Sequence, residues 1–517
     1  MDTSSRTAKS ILNVKAALVF YFLNLLLQFF SRKIFLDYLG SEVLGLNTTA
    51  QNLLGFLNLA ELGIGGAVAY NLYRPLYKDN RKAVNEIVSI QGWIYRRIAY
   101  VVIIGAVVLM CFFPLIFAKA QVPLWYAYGS FIALLVASLL GYFVNYKQIV
   151  LSADQKEYRI TYSVQGVKII KIVFQILAIR YLSHGYVWWM VLEVIMAGVT
   201  SYVLDKSIRR EYPWLKSEPH RGREFRKQYP AIITKTKQVF FHKIGGFVLS
   251  QTSPLIIYAY ASLTLVAVYG NYMLIVTGVT MLVNALLNSI TAGVGNLVAE
   301  GDKKRIKSVF WELTALRMWL ASVICFGMYM LSDFFITLWV GKEYLLPQSA
   351  FIVLVLITFI NLSRTNDAFL AAYGLYQDIW APVAEASLNL GLSILLGYYY
   401  GLVGILSGVL ISLLVIVCSW KPYFLYKKGF GENVREYILR YIKLLGIIFI
   451  SCWLVKSIND KYVTLLVISY WGWILYGLIL LGLYTILSIV FLLTDSAFRK
   501  CMQRFCKLLL PLQKIKK

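Results

Sequence analysis

An all-α polytopic membrane protein of about 14 transmembrane helices, two parallel six-helix lobes around a central cavity plus two C-terminal helices, is the fold class that this sequence predicts. Three observations predict it. Hydrophobic segments, each near the ~20 apolar residues that cross a ~30 Å hydrocarbon layer, follow one another from Leu12 to Leu493. Lys and Arg collect in every second loop between them. Two short stretches recur in both halves at nearly the same spacing. Apolar residues make up 59% of the 517 and charged residues only 15%, so crossings consume the whole length and no soluble domain fits.

Taken in order, the predicted spans are Leu12–Tyr38, Ala50–Tyr70, Ile98–Ala118, Leu124–Tyr146, Ser163–Leu182, Tyr186–Leu204, Val239–Ala261, Leu265–Leu297, Val309–Leu331, Ser349–Tyr373, Trp380–Tyr400, Leu402–Trp420, Tyr441–Val455 and Tyr462–Leu493. All are expected to be helices. An open strand would leave backbone groups unsatisfied in lipid, and the apolar/polar alternation of a transmembrane barrel is absent. The polar, basic residues 1–11 and the long apolar run behind them lack a signal-peptide cleavage pattern, so that run counts as the first span.

The net charge of +26 would point to nucleic acid in a soluble protein, but no basic loop here is interleaved with an aromatic stacking platform. Basic residues instead gather at Arg6 to Lys15, Arg74 to Lys82, Lys147 to Arg159, Lys206 to Lys237, Lys303 to Lys307, Lys421 to Arg440 and after Thr494. The intervening loops hold only Lys119, Arg180, Lys342, Lys456 and Lys461, which puts both termini in the cytoplasm. The cysteines Cys111, Cys325, Cys418, Cys452, Cys501 and Cys506 show no metal or redox spacing. No metal site is expected.

The longest polar stretch divides the chain into an N-lobe (1–205), a basic cytoplasmic linker (206–238), a C-lobe (239–420) and a C-terminal part (421–517) with two helices and a basic tail. Lys78-Asp79-Asn80-Arg81-Lys82 after span two resembles Gly301-Asp302-Lys303-Lys304-Arg305 after span eight, and His184-Gly185-Tyr186-Val187 resembles Tyr400-Gly401-Leu402-Val403. Since each half begins inside and holds an even number of crossings, the repeats are parallel.

Ionisable side chains in hydrocarbon are costly unless they face protein or a water-filled cavity, so each is a candidate site. The N-terminal half offers Arg32, Lys33 and Asp37 in span one, Glu61 in span two, Lys168 and Lys171 in span five and Glu193 in span six. The other half offers His242 and Lys243, Arg317, Arg364, Asp367 and Glu385. Lys168, His242 and Lys243 are near enough to a predicted cytoplasmic end to snorkel to the headgroups. Arg32 continues a polar face of Asn24, Gln28 and Ser31 at helical steps, which favours a cavity. Arg364 and Asp367 stand at i,i+3 and suit either an ion pair or a site. Glu193 is the most isolated acid: protonation, pairing with Lys168 or Lys171, and ion coupling all remain open. No Walker motif occurs, and Gly63-Ile64-Gly65-Gly66 lacks the strand and the Lys-Ser/Thr of a phosphate loop.

Arg32-Lys33-Ile34-Phe35-Leu36-Asp37-Tyr38-Leu39-Gly40, then Leu59-Ala60-Glu61-Leu62-Gly63-Ile64-Gly65, and later Asn389-Leu390 before Tyr400-Gly401-Leu402-Val403-Gly404, give the chain a layout that resembles the polysaccharide-transporter branch of the multidrug/oligosaccharidyl-lipid/polysaccharide exporter superfamily. The resemblance covers essentially the whole chain. It implies a non-enzymatic flippase of the O-antigen (Wzx) type in the bacterial inner membrane, acting on undecaprenyl-pyrophosphate-linked oligosaccharide beside polysaccharide polymerase machinery. Such a substrate needs a cationic cavity open sideways to lipid. Arg32, Lys33, Lys168, Lys171, Arg317 and Arg364 are the substrate-binding cations, with Asn271, Asn284 and Asn288 for sugar hydroxyls. Glu61, Glu193, Asp367 and Glu385 are the ion-coupling candidates. No cofactor is expected, and the energy would come from a Na+ or H+ gradient or the membrane potential.

Two rivals stand beside this. An ion-coupled multidrug exporter would prefer an acidic, aromatic cavity, which the excess of intramembrane Arg and Lys disfavours. A membrane enzyme acting on lipid-linked sugars would need a large outer loop or an acid/base set, and every outer loop is short. The topology has a direct test. Cysteine labelling is expected to find the Lys206 to Lys237 stretch and the C-terminal tail on the same side of the membrane, and opposite sides would refute the fourteen-span count.

Overall fold

The computed structural model describes residues 6–61, 63–234, 236, 252–375, 377–378, 380–462 and 469–509. They are helical almost throughout, with no strand among the described residues, and they form two compact units, Met1–Ala267 and Val268–Lys517. The chain is a multi-pass membrane protein: among the described residues, 11 helices are long and apolar enough to cross a bilayer. Thirteen of the fourteen predicted spans map onto these 11, because spans one and two share the segment Leu12–Leu57 and spans eleven and twelve share Trp380–Phe430. Most of span seven, including His242 and Lys243, lies outside the described residues; 252–260 are helical.

In the first unit α1 (Arg6–Leu57) is two helices joined at Gly40, whose φ of 82° and ψ of 168° form a kink that suits only glycine. The first predicted span ends two residues before it. A 3₁₀ turn, Asn58–Glu61, and Gly63 separate α1 from α2 (Ile64–Tyr77), so the second predicted span is a broken helix. Next come α3 (Arg81–Cys111), α4 (Leu124–Phe143), α5 (Glu157–Tyr181) and α6 (Gly185–Glu211).

The chain continues through α7 (Leu263–Glu300) into α8 (Lys303–Trp339), α9 (Gln348–Ser363) and the short α10 (Asn366–Ala372). Then follow α11 (Trp380–Leu413), α12 (Arg435–Tyr462), α13 (Tyr470–Leu492) and α14 (Ser496–Leu509). α11 reverses at Gly401 (φ 56°, ψ −135°). There is no loop between its two arms. A Cβ on Gly404 would overlap the Leu396 carbonyl and one on Gly408 the Ser393 amide, so the arms lie in backbone contact.

Several helices begin earlier than hydropathy indicates: α3 at Arg81 rather than Ile98, α5 at Glu157 rather than Ser163, α8 at Lys303 and α12 at Arg435. Hydropathy stops at the first cluster of charge, whereas Lys, Arg and Glu are good helix formers and carry the helix on into the headgroups. The repeat seen in sequence is a repeat of local structure. Asn80 accepts from the Ala83 amide to cap α3, and Asp302 accepts from the Lys304 and Arg305 amides to cap α8.

The basic stretch after α6 is tied to α3. The Lys216 amide donates to Asn85 at 3.0 Å, the Glu218 amide to Ser89 at 2.8 Å and the Tyr229 hydroxyl to Glu86 at 2.8 Å. Where it meets α5 and α6, Lys156 bonds Asp154 and Glu211, each at 2.6 Å. Burial works against its charge, yet these two carboxylates hold its pKa above the ordinary lysine value.

Replacing Gly40 or Gly401 by Val is expected to cost about 1–3 kcal/mol each, because both backbones are glycine-only. Gly66→Ala, at a helical position with open space around it, is expected to be neutral or slightly stabilising. Thermal unfolding in detergent checks all three, and equal melting for Gly40→Val and Gly66→Ala would refute the kink.

Candidate functional site

Three contacts fix α1 against α5. Asn13 accepts from the Tyr158 amide at 2.8 Å, Phe20 meets Tyr162 edge-on at 5.7 Å, and buried Asn24 donates to Gln165 at 3.1 Å. The partners advance in the same direction along both helices, so α1 and α5 run parallel, and Arg32, two turns past Asn24, stands beside the turns from Lys168 to Gln175. One turn beyond Arg32, Phe35 packs edge-on against Tyr186 and Trp189 of α6, at 6.0 and 6.2 Å, which brings Arg32 to the depth of Glu193. Its guanidinium donates to the Ala267 carbonyl at 2.9 Å.

α5 and α6 close this layer. Lys171 donates to Glu193 Oε1 at 2.7 Å, while Gln175 donates to Glu193 Oε2 at 3.0 Å and to the Trp189 carbonyl at 3.2 Å. Glu193 is only 7% exposed. Of the three fates open to it in sequence, pairing with Lys171 is the one seen here. Lys168, one turn earlier on the same face of α5, is half-buried, makes no hydrogen bond or ion pair among the described residues, and feels the charges of Lys171 and Glu193. Lys168 lies about 13 Å beyond Arg159 along α5 and about 8 Å beyond Ser163, where the apolar run begins. Lys33 is not in the layer: it pairs with Asp37 at 3.2 Å, both side chains about two-fifths exposed, as a surface pair worth little.

Glu61 belongs to a separate cluster at the helix break before α2. Tyr95 of α3 donates to it at 2.9 Å, and beside it Asn58 accepts from Tyr142 at 2.9 Å and Ser138 at 3.2 Å, both on α4. No cation faces this carboxylate among the described residues.

In the second unit the tenth predicted span is broken at Arg364, where ψ of 96° leaves the helix between α9 and α10. Arg317 of α8 donates to the Arg364 carbonyl, answering a backbone acceptor freed by the break. The Arg364 side chain lies 3.0 Å from Asp367, 3.2 Å from Asn361 and 3.9 Å from Glu385, and Asp367 also takes Lys421 at 2.7 Å. Arg317, Arg364, Asp367 and Glu385 are thus brought together, along with Lys421, which sequence had assigned to a loop because the helix was taken to end at Trp420. Next on the Glu385 face, Asn389 is fully buried with neither amide atom hydrogen-bonded.

The asparagines of α7 do not share one face: Asn271 is fully buried and Asn284 exposed. The side chain of Asn288 lies outside the described residues. Sequence reasoning missed an apolar groove of about 540 Å³ between α8, α9 and α12, lined by Cys325, Phe326, Val355, Phe359, Ile448 and Cys452, with Lys456 among its borders. Hydropathy has no signal for it, since lipid-facing and groove-facing residues are equally apolar.

The Lys171–Glu193 pair yields to a double-mutant cycle. Lys171→Met alone is expected to cost about 3–5 kcal/mol by stranding the buried carboxylate, whereas Lys171→Met with Glu193→Leu recovers most of it. Thermal unfolding in lipid nanodiscs reads both, and additive losses would show that the two side chains do not interact.

No family model matches this chain, and no curated protein does. Solved structures do. The lipid II flippase MurJ in an inward closed conformation has a TM-score of 0.62 at 16% identity, over 93% of this chain and 99% of that one. An inward-facing multidrug resistance MATE family transporter of the MOP superfamily has 0.61 at 13%, over 81% and 98%. A Vibrio cholerae MATE transporter has 0.52 at 12%, over 83% and 99%. At such identities the likeness establishes a shared fold, and the chain has the fold of these transporters over most of its length.

Proposed function

We propose that the chain is a flippase that moves undecaprenyl-pyrophosphate-linked oligosaccharide across the bacterial inner membrane by alternating access, for the assembly of a surface polysaccharide. The observation that supports this best is Lys168. A lysine inside an apolar span, with no hydrogen bond or ion pair of its own among the described residues and beside a lysine that has one, leaves positive charge where hydrocarbon disfavours it. An oxyanion supplies the missing partner. Two phosphates held by Lys168 and Lys171, with Arg32 at the same depth, would exchange hydration for charge-assisted hydrogen bonds.

The groove beside α12 supports the same reading, since a polyprenyl tail needs apolar surface while its head group crosses. Arg364 supports it less than sequence suggested, because Asp367 and Glu385 already face its guanidinium. The energy fits without nucleotide: an inside-negative potential favours outward passage of each negative charge by about 2.3 kcal/mol per 100 mV. Polysaccharide polymerase machinery would take the product. Export of organic cations is a second reading, favoured by Glu61, whose carboxylate meets the Tyr95 hydroxyl and no cation.

Flipping measured in proteoliposomes, as lipid-linked oligosaccharide reaching the outer leaflet, tests the proposal. Lys168→Ala and Arg32→Ala are each expected to slow it at least tenfold, while Lys33→Ala, a surface-pair variant, leaves the rate unchanged. Wild-type rates for Lys168→Ala would remove the support on which the reading stands.

A further inference from the structure

Glu193 and Lys168 raise a question of competition. Lys171 already has a partner, so an anion that settles between Lys168 and Lys171 has to share or take the ammonium that neutralises Glu193 at 2.7 Å. What would then face that carboxylate can be read element by element. α5 offers Lys171, Lys168 and Gln175. α4 meets α6 one turn away through Gly129, in contact with Met190, and carries only apolar residues from Phe131 to Val136. Lys147, in the turn after α4, is occupied by Asp205 at 3.9 Å, about three turns further along α6. α1 contributes Arg32, whose guanidinium donates to the Ala267 carbonyl.

We propose that anion binding at Lys168 and Lys171 is coupled to uptake of one proton by Glu193. The inference rests on the anion site proposed above and names what drives or regulates it. Once an oxyanion claims Lys171, the Glu193 carboxylate keeps the neutral Gln175 amide and loses its cation in an environment that leaves it 7% exposed. A buried carboxylate stripped of its counter-ion is strongly disfavoured, and a proton from water relieves it. The step balances simply: carboxylate plus H+ gives carboxylic acid, and no other bond changes. The new O–H lies beside the bound oxyanion and can donate to it. With the anion absent, Lys171 returns and the proton leaves. Anion and proton therefore bind together and leave together, and by reciprocity each tightens the other. A membrane-potential-driven anion would thus sense the pH on either side of the bilayer.

The test uses the full chain in nanodiscs and a defined probe, geranyl-pyrophosphoryl-glucose, a diester whose two phosphates stay ionised from pH 5 to 9. Calorimetric titration in two buffers of different ionisation enthalpy counts protons. The wild type is expected to take up about one proton per probe bound, with affinity falling about tenfold per pH unit wherever free Glu193 is ionised and bound Glu193 is not. Glu193→Gln is expected to bind without proton uptake and without that pH dependence. Should Glu193→Gln not fold, Lys171→Gln serves: its unpaired Glu193 already holds the proton, so the weaker binding that remains shows no uptake. Wild-type binding with no proton uptake overturns the coupling and leaves the anion site standing. Uptake that persists in Glu193→Gln overturns the assignment to this residue. Failure of the wild type to bind the probe at all overturns the anion site and the coupling with it.

Discussion

Hydrocarbon offers no water, so every polar group placed within it has to be answered by the chain itself. That constraint organises both units. Where α9 breaks at Arg364, the freed carbonyl is met by Arg317, and the charges gathered there meet Asp367, Glu385 and Lys421 in one connected set. Where α1, α5 and α6 meet, Asn24 answers Gln165, and Gln175 answers both Glu193 and the Trp189 carbonyl. Among the charged side chains of this layer Lys168 stands out, with no hydrogen bond or ion pair among the described residues.

The two units use charge differently. In the second, carboxylates lie against Arg364 and Lys421, so the arrangement serves first to hold a discontinuous helix in shape. The same interior leaves Glu385 Oε1, Asn366 Oδ1 and both amide atoms of Asn389 without a hydrogen bond among the described residues. In the first unit, one carboxylate lies beside two lysines.

Most of the fold was legible because its determinants are local. The order of the apolar segments follows from apolar length, and the span ends drawn at Tyr38 and Tyr400 fall within two residues of the bends at Gly40 and Gly401. The early starts of α3 and α5 were not legible, since a charged stretch reads alike as helix or loop. Pairing was hidden for a different reason. That Lys171 rather than Lys168 meets Glu193, and that Lys421 reaches Asp367, depends on rotation between helices, which hydropathy does not encode. Asn271 and Asn284 looked equivalent in sequence yet lie in opposite surroundings, as expected for residues that a helical period sets on different faces.

The loopless reversal at Gly401 has a consequence for biosynthesis. With the arms of α11 in backbone contact at Gly404 and Gly408, neither can enter the bilayer long before the other. The ribosome must release both before the pair can take its final packing. Tyr398, Tyr399 and Tyr400, all well exposed at the bend, are the part that crosses first, and their amphipathic rings suit them to stop at the far headgroups.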